Sequence, residues 1–151
     1  MGGAGIEVSF DSEYQTIIDA LAHASAPVLL EIAQAGGLAL EDVSKKAFVN
    51  KADPASGAKW ANKADGSEAT LYRRGALHRS IIFNAFPDGS VILGSNLVYA
   101  GIHQEGGQAG RKKKSTIPAR PYMGVPRDFE RQFFDDPAIQ KALGIAAGGD
   151  S

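Results

Sequence analysis

The stretch Gly94–Gly107, GSNLVYAGIHQEGG, gathers an aromatic ring, an imidazole, an amide and a carboxylate between a strand-like start and a double glycine. His103 and Glu105 are residue types that serve general acid–base chemistry. They stand two apart, however, and on a helix that spacing sends them to different faces. A metal centre lacks ligands: the chain has three histidines, His23, His78 and His103, no cysteine, and no H-E-x-x-H or similar spacing. No serine sits in a G-x-S-x-G elbow. Gly106, Gly107 and Gly110 are not followed by Lys-Ser/Thr at the offset of a phosphate loop. No catalytic residue, metal ligand or cofactor site is expected, and the stretch reads as scaffold. In that reading Tyr99, Ala100 and Ile102 pack a short helix against a sheet, and His103 and Gln104 hydrogen-bond backbone near Arg120.

The strongest charged cluster is Arg111-Lys112-Lys113-Lys114. Three readings stand open for it: a solvated loop tip, a docking element for the acidic helices of a neighbouring copy, or a phosphate contact with DNA. No aromatic is interleaved with the cations, so base stacking is not indicated. The net charge of −1 conceals an asymmetry. Residues 1–44 carry seven acids and no Lys or Arg, while residues 45–131 carry a net +8. Opposite ends either attract within one monomer or make an acidic and a basic side that steer copies head to tail.

The elements that must position these residues follow from periodicity. Gly5–Phe10 alternates as a half-buried strand. Asp11 or Ser12 then caps a helix with Tyr14, Ile17, Ile18, Leu21 and Ala22 at helical spacing. Pro27 opens a second helix. Val28, Ile32, Ala35, Ala39, Val43 and Ala47 keep its stripe in register across Gly36-Gly37, so it runs to about Phe48. Residues 50–70 read as an exposed, mobile excursion in which Trp60 either anchors the loop or meets a partner. A helical turn over 71–80 leads to a hairpin over 81–95 that reverses at Pro87–Ser90. A short helix over 98–104 ends at Gly106-Gly107. Residues 106–116 form a mobile basic loop, and Thr116–Met123 is extended, with Pro118 and Pro121 suiting an edge strand. One C-terminal helix covers 125–134, and 144–151 is a frayed tail. The expected fold is α+β: about four mostly antiparallel strands against two N-terminal helices and a C-terminal helix, as one domain over residues 1–151. The absence of cysteine, of a signal-like N-terminus and of any apolar run near the roughly 20 residues of a membrane span points to a soluble cytosolic protein with no membrane partner.

The order of the pieces carries more than any one of them. Pro54, Gly57 and Trp60 are followed by Leu71, Gly75, Leu77, Ser80 and Ile81. Gly94, Asn96, Tyr99, Ala100, Ile102, His103, Gln104, Gly106 and Gly107 come next, and then Ile117-Pro118-Ala119-Arg120-Pro121-Tyr122-Met123-Gly124. This pattern resembles the phage virion morphogenesis family, the tail completion proteins of Mu-like and related tailed bacteriophages, over roughly residues 27–135. The resemblance implies a non-enzymatic structural subunit of the virion neck or tail, made in the host cytoplasm. It also implies self-association, as in related folds that form rings around the DNA channel, and partners among other head–tail or tail proteins. Non-specific contact with channel DNA is a further expectation, and a DNA-binding module using residues 111–114 is the alternative reading. Arg120, held between two prolines, is expected to bridge the segment or to reach a neighbour.

Overall fold

A computed structural model describes residues 3–7, 15–69, 71, 75–113 and 115–145. The expected capping by Asp11 or Ser12, the strand residues beyond Glu7, Lys114 and the tail from residue 146 lie outside the described residues. The chain runs β1 (Ala4–Glu7), α1 (Gln15–His23), α2 (Ala26–Asn50), α3 (Ala76–Ser80), β2 (Ile82–Ala85), β3 (Val91–Ser95) and α4 (Ala100–Glu105). It continues with β4 (Gly107–Ala109), a 3-10 turn (Arg111–Lys113), β5 (Ser115–Ile117), α5 (Phe129–Asp135) and α6 (Pro137–Ala142). The architecture is α+β.

Helix α2 is the spine. Its 25 residues extend about 38 Å at ~1.5 Å per residue. Pro27 occupies its first turn, where the missing N–H costs nothing, and the helix passes through Gly36-Gly37 without a break. The pair serves close approach: a β-carbon on Gly37 would overlap the Phe83 ring of β2, whereas one on Gly36 would meet Phe133 at 3.6 Å, an ordinary contact. Glycine at 37 therefore lets the helix lie directly on the sheet.

Antiparallel pairing gives the order β1-β3-β2, with Ile6 opposite Leu93 and Phe83 opposite Leu93 on the other side. Val91, Leu93 and Ser95 point inward and are buried, and Phe83 of β2 packs against the same core. Ile82, Asn84 and Ile92 take the alternate positions and face out. Two apolar clusters meet along α2. The larger joins Leu40, Phe48, Trp60, Leu77, Ile81, Leu93, Tyr122 and Met123. The smaller joins Ile17 of α1, Ile32 of α2, Phe134 of α5 and Ile139 of α6. Phe133 touches both.

Four expectations are corrected. The strands do not form one four-stranded sheet, because β4 and β5 pair with each other as a separate ribbon. Residues 106–116 are thus a hairpin, not an irregular loop, with Gln108 opposite Thr116. Of the extended stretch 116–123 only the start lies in a ladder, since Pro118 and Pro121 have no N–H to donate. The helix expected over 125–134 starts only at Phe129, and a further helix follows it: the Asp136 carboxylate accepts from the Ala138 N–H at 2.8 Å and Pro137 starts a new first turn. Residues 51–69 are irregular, as expected, but they are tied down by an Ala52–Lys59 bridge and by buried Trp60.

Candidate functional site

The motif residues converge where α4, the extended 118–124 segment and the 51–69 segment meet. Gln104 is the clamp. Its Oε1 accepts from the Tyr122 and Met123 N–H groups, each at 3.0 Å, and its Nε2 donates to the Met123 carbonyl at 2.8 Å. One side chain thereby replaces the ladder partner that the proline-flanked segment lacks.

The Tyr122 ring that follows is fully buried, and its hydroxyl donates to the Ala100 carbonyl at 2.8 Å. Burial pushes its phenol far above the ordinary range, so it stays a neutral donor. Trp60 sits beside it across Phe48, with ring centroids 5.9 Å from Phe48 to Trp60 and 5.3 Å from Phe48 to Tyr122. The Trp60 indole N–H donates to the Pro121 carbonyl at 2.6 Å. Trp60 thus fastens its own loop to the motif segment.

Arg120 is buried and points into the chain. Its Nε donates to the Ala61 carbonyl at 2.9 Å and its Nη2 to the Asn62 carbonyl at 3.1 Å, while its backbone N–H donates to the His103 carbonyl at 2.8 Å. Of the two roles expected for Arg120, the structure places it as an internal bridge. Among the described residues it has no carboxylate partner, and the two guanidinium hydrogen bonds both go to backbone carbonyls. His103 is half-buried with its ring nearly perpendicular to that of Tyr99, and its Nδ1 has no hydrogen-bond partner among the described residues. Burial, and then the charge of Arg120, hold its imidazole below the ordinary range. It makes no pair with Glu105, which is exposed.

Other motif positions are local supports. Gly75 precedes α3 in a left-handed conformation, and Leu77 is buried in the core. Ser80 Oγ donates to the Leu77 carbonyl at 2.7 Å, so at 2.6 Å the Ser95 hydroxyl is the donor to Ser80, leaving Ser95 to accept from the Leu97 N–H at 3.2 Å. Gly106 ends α4 at φ 75°, and a β-carbon there would lie 2.8 Å from the Ala119 nitrogen. Gly107 then opens β4. Ala100 is fully buried, but Tyr99 is 43% and Val98 84% exposed. The expectation that Tyr99 packs α4 onto the sheet is therefore corrected: α4 begins at Ala100, two residues later than expected, and Tyr99 is left half-exposed at its N-cap. Asn96 is exposed and Pro118 is too. Arg111 and Lys112 are exposed at the hairpin tip, with Lys112 at φ 59°.

Sequence reasoning missed Ser95, although the alternation Val91-Leu93-Ser95 placed it inward. It placed Tyr122 in the Pro-rich motif but assigned it no role. Among the described residues no three His, Cys, Asp or Glu side chains are grouped to hold a metal ion, and no helix is long and apolar enough to cross a membrane. What the site does chemically is to hold backbone, segment against segment.

Such an arrangement defines an α+β scaffold in which one motif staples three remote chain segments. The model of the phage virion morphogenesis family matches residues 11–142, and the chain belongs to that family. It is 36% identical over 122 residues to a protein of Escherichia phage Mu described as "Putative capsid assembly protein G", covering 72% of this chain and 75% of that one. It is also 40% identical over 55 residues to the Mu-like prophage FluMu G protein 2 of Haemophilus influenzae, covering 36% of this chain and 40% of that one. No solved structure matches the chain significantly. A structural part in phage assembly follows from the family.

Proposed function

We propose that this chain is a non-enzymatic subunit that completes the tail or the head–tail connection of a tailed phage, assembling as a closed ring around the DNA path. The observation that carries the reading is the outer face of the sheet. Ile82 is 56% exposed and Ile92 52%, both on the face turned away from α2, and Phe86 at the adjoining turn is 38% exposed. Large apolar side chains exposed on one sheet face of a small protein support an interaction site there. A heterologous interface between copies closes into a ring when its rotation closes. Charge then steers and does not hold. Glu41 and Asp42 are already paired with Lys45 and Lys46 within α2 at 2.8 Å, which partly neutralises two of the seven N-terminal acids. Asp19 and Glu31 remain exposed on the α1–α2 end. The subunit works in the neck or tail region after assembly in the host cytoplasm, joined to other tail or connector proteins.

The test is absolute mass by light scattering on a sizing column, over a concentration series at low and high salt. The expected result is a discrete oligomer that persists at high salt and that Ile82→Asp/Ile92→Asp converts to monomer. A wild-type monomer at every concentration would reject spontaneous ring closure.

A further inference from the structure

The hairpin β4–β5 stands apart from the rest of the molecule. Its three paired positions carry the tip about 10 Å from the root at ~3.4 Å per residue. The root is fixed: Gly106 packs against Ala119, and Ile102 lies beside Gly107. The substantial contacts of the ribbon beyond that root are with itself.

The composition of the tip distinguishes between partners. Its exposed residues are Gln108, Gly110, Arg111, Lys112, Ser115 and Thr116. Two further lysines, Lys113 and Lys114, follow Lys112 in the sequence. No large apolar or aromatic side chain is exposed there, so the tip has no anchor of the kind that forms the centre of a protein–protein interface, where Lys is depleted. Arg, Lys, Ser, Thr and Gln are instead the side chains that hydrogen-bond phosphate oxygens. Among the described residues neither Arg111 nor Lys112 has an ion-pair partner, and the nearest acid in sequence, Glu105, is back at the root. Aromatic rings on which single-stranded bases could stack are absent between Tyr99 and Tyr122.

We infer that the β4–β5 hairpin tip is a sequence-independent contact for the phosphate backbone of duplex DNA, made by Arg111 and Lys112. The tip offers no helix for the major groove, so it reads no bases. This contact goes beyond the assembly reading and does not depend on it.

The test uses the full chain and a fluorescein-labelled 30-base-pair duplex of mixed sequence, with binding followed by anisotropy from about 25 to 200 mM KCl, the range over which phosphate contacts respond steeply. The logarithm of the affinity is expected to fall linearly with the logarithm of salt concentration. Arg111→Gln/Lys112→Gln should reduce that slope by about 1.8, since each phosphate contact contributes about 0.9. Arg131→Gln, which removes a cation on α5 beside Asp128, should leave the slope unchanged. Both exposed-site variants should melt like the parent, which separates lost contact from lost fold. The inference is overturned by absence of binding at the lowest salt, by an unchanged slope in the double variant, or by tighter binding of a single strand of equal length. It is also overturned if the double variant keeps DNA binding but loses self-association, which would assign the tip to a second copy. Light scattering reads assembly separately, so failure here and failure of the ring reading are distinguishable.

Discussion

Gln104→Leu removes the clamp at nearly constant volume, and the structure sets its cost. Three hydrogen bonds disappear: two that the Gln104 carbonyl oxygen accepts at 3.0 Å and one that its amide donates at 2.8 Å. A protein hydrogen bond contributes about 1 kcal/mol net, and a partner left unpaired in the interior costs about 1–3 kcal/mol. The Tyr122 and Met123 backbone has no ladder to fall back on, because Pro121 precedes it and both side chains are buried. The expected loss is therefore about 3 kcal/mol or more. At about 2–4 °C per kcal/mol for a chain of this size, the melting temperature should drop by roughly 6–12 °C. Gln104→Glu is the informative companion. A carboxylate can still accept from both N–H groups but faces the Met123 carbonyl with no donor, so it should lie between Leu and the parent. Urea and thermal unfolding measure the loss, and amide exchange at Tyr122 and Met123 locates it. A Leu variant within about 0.5 kcal/mol of the parent, the range of an ordinary surface change, would refute the clamp argument.

Two further outcomes follow from the same geometry. Gly36→Ala should stabilise by up to about 1 kcal/mol through helix propensity. Gly37→Ala should instead destabilise by about 1–2 kcal/mol, because overpacking against Phe83 outweighs that gain; equal urea midpoints for the two variants would remove the close-approach argument. Stability should also decline as pH falls below 6.5. Burial, then Arg120, lowers the folded pKa of His103, and burial, then Lys45 and Arg79, lowers that of His78. The unfolded chain then binds more protons below its ordinary value of 6.5, so folding loses free energy from there down toward the folded values. Urea midpoints between pH 7 and pH 5 should fall, and His103→Asn should flatten part of the fall; a flat parent profile would contradict the burial of these rings.

The elements that were legible in the sequence are those whose cause is local. The stripe from Val28 to Ala47 predicted one helix through Gly36-Gly37, since 3.6-residue periodicity survives the glycines. Pro87–Ser90 predicted the β2–β3 reversal through turn chemistry, and Gly106 predicted the end of α4 through its left-handed backbone. The order of the motifs carried the family. The start of α6, which the sequence reading left unassigned, is also written locally, in the N-cap carboxylate of Asp136 followed by Pro137.

Only the tertiary structure decided the rest, because pairing between remote segments leaves no periodic mark on either. The β4–β5 ribbon is three residues a side, Gly-Gln-Ala against Ser-Thr-Ile, too short for alternation to announce it. Nothing near Gln104 specifies that its amide satisfies residues 122 and 123, and nothing near Arg120 specifies the carbonyls of Ala61 and Asn62. Those assignments arise when α4, the proline segment and the Trp60 loop close on Phe48, and buried backbone groups must take whichever polar side chain the packing brings within reach.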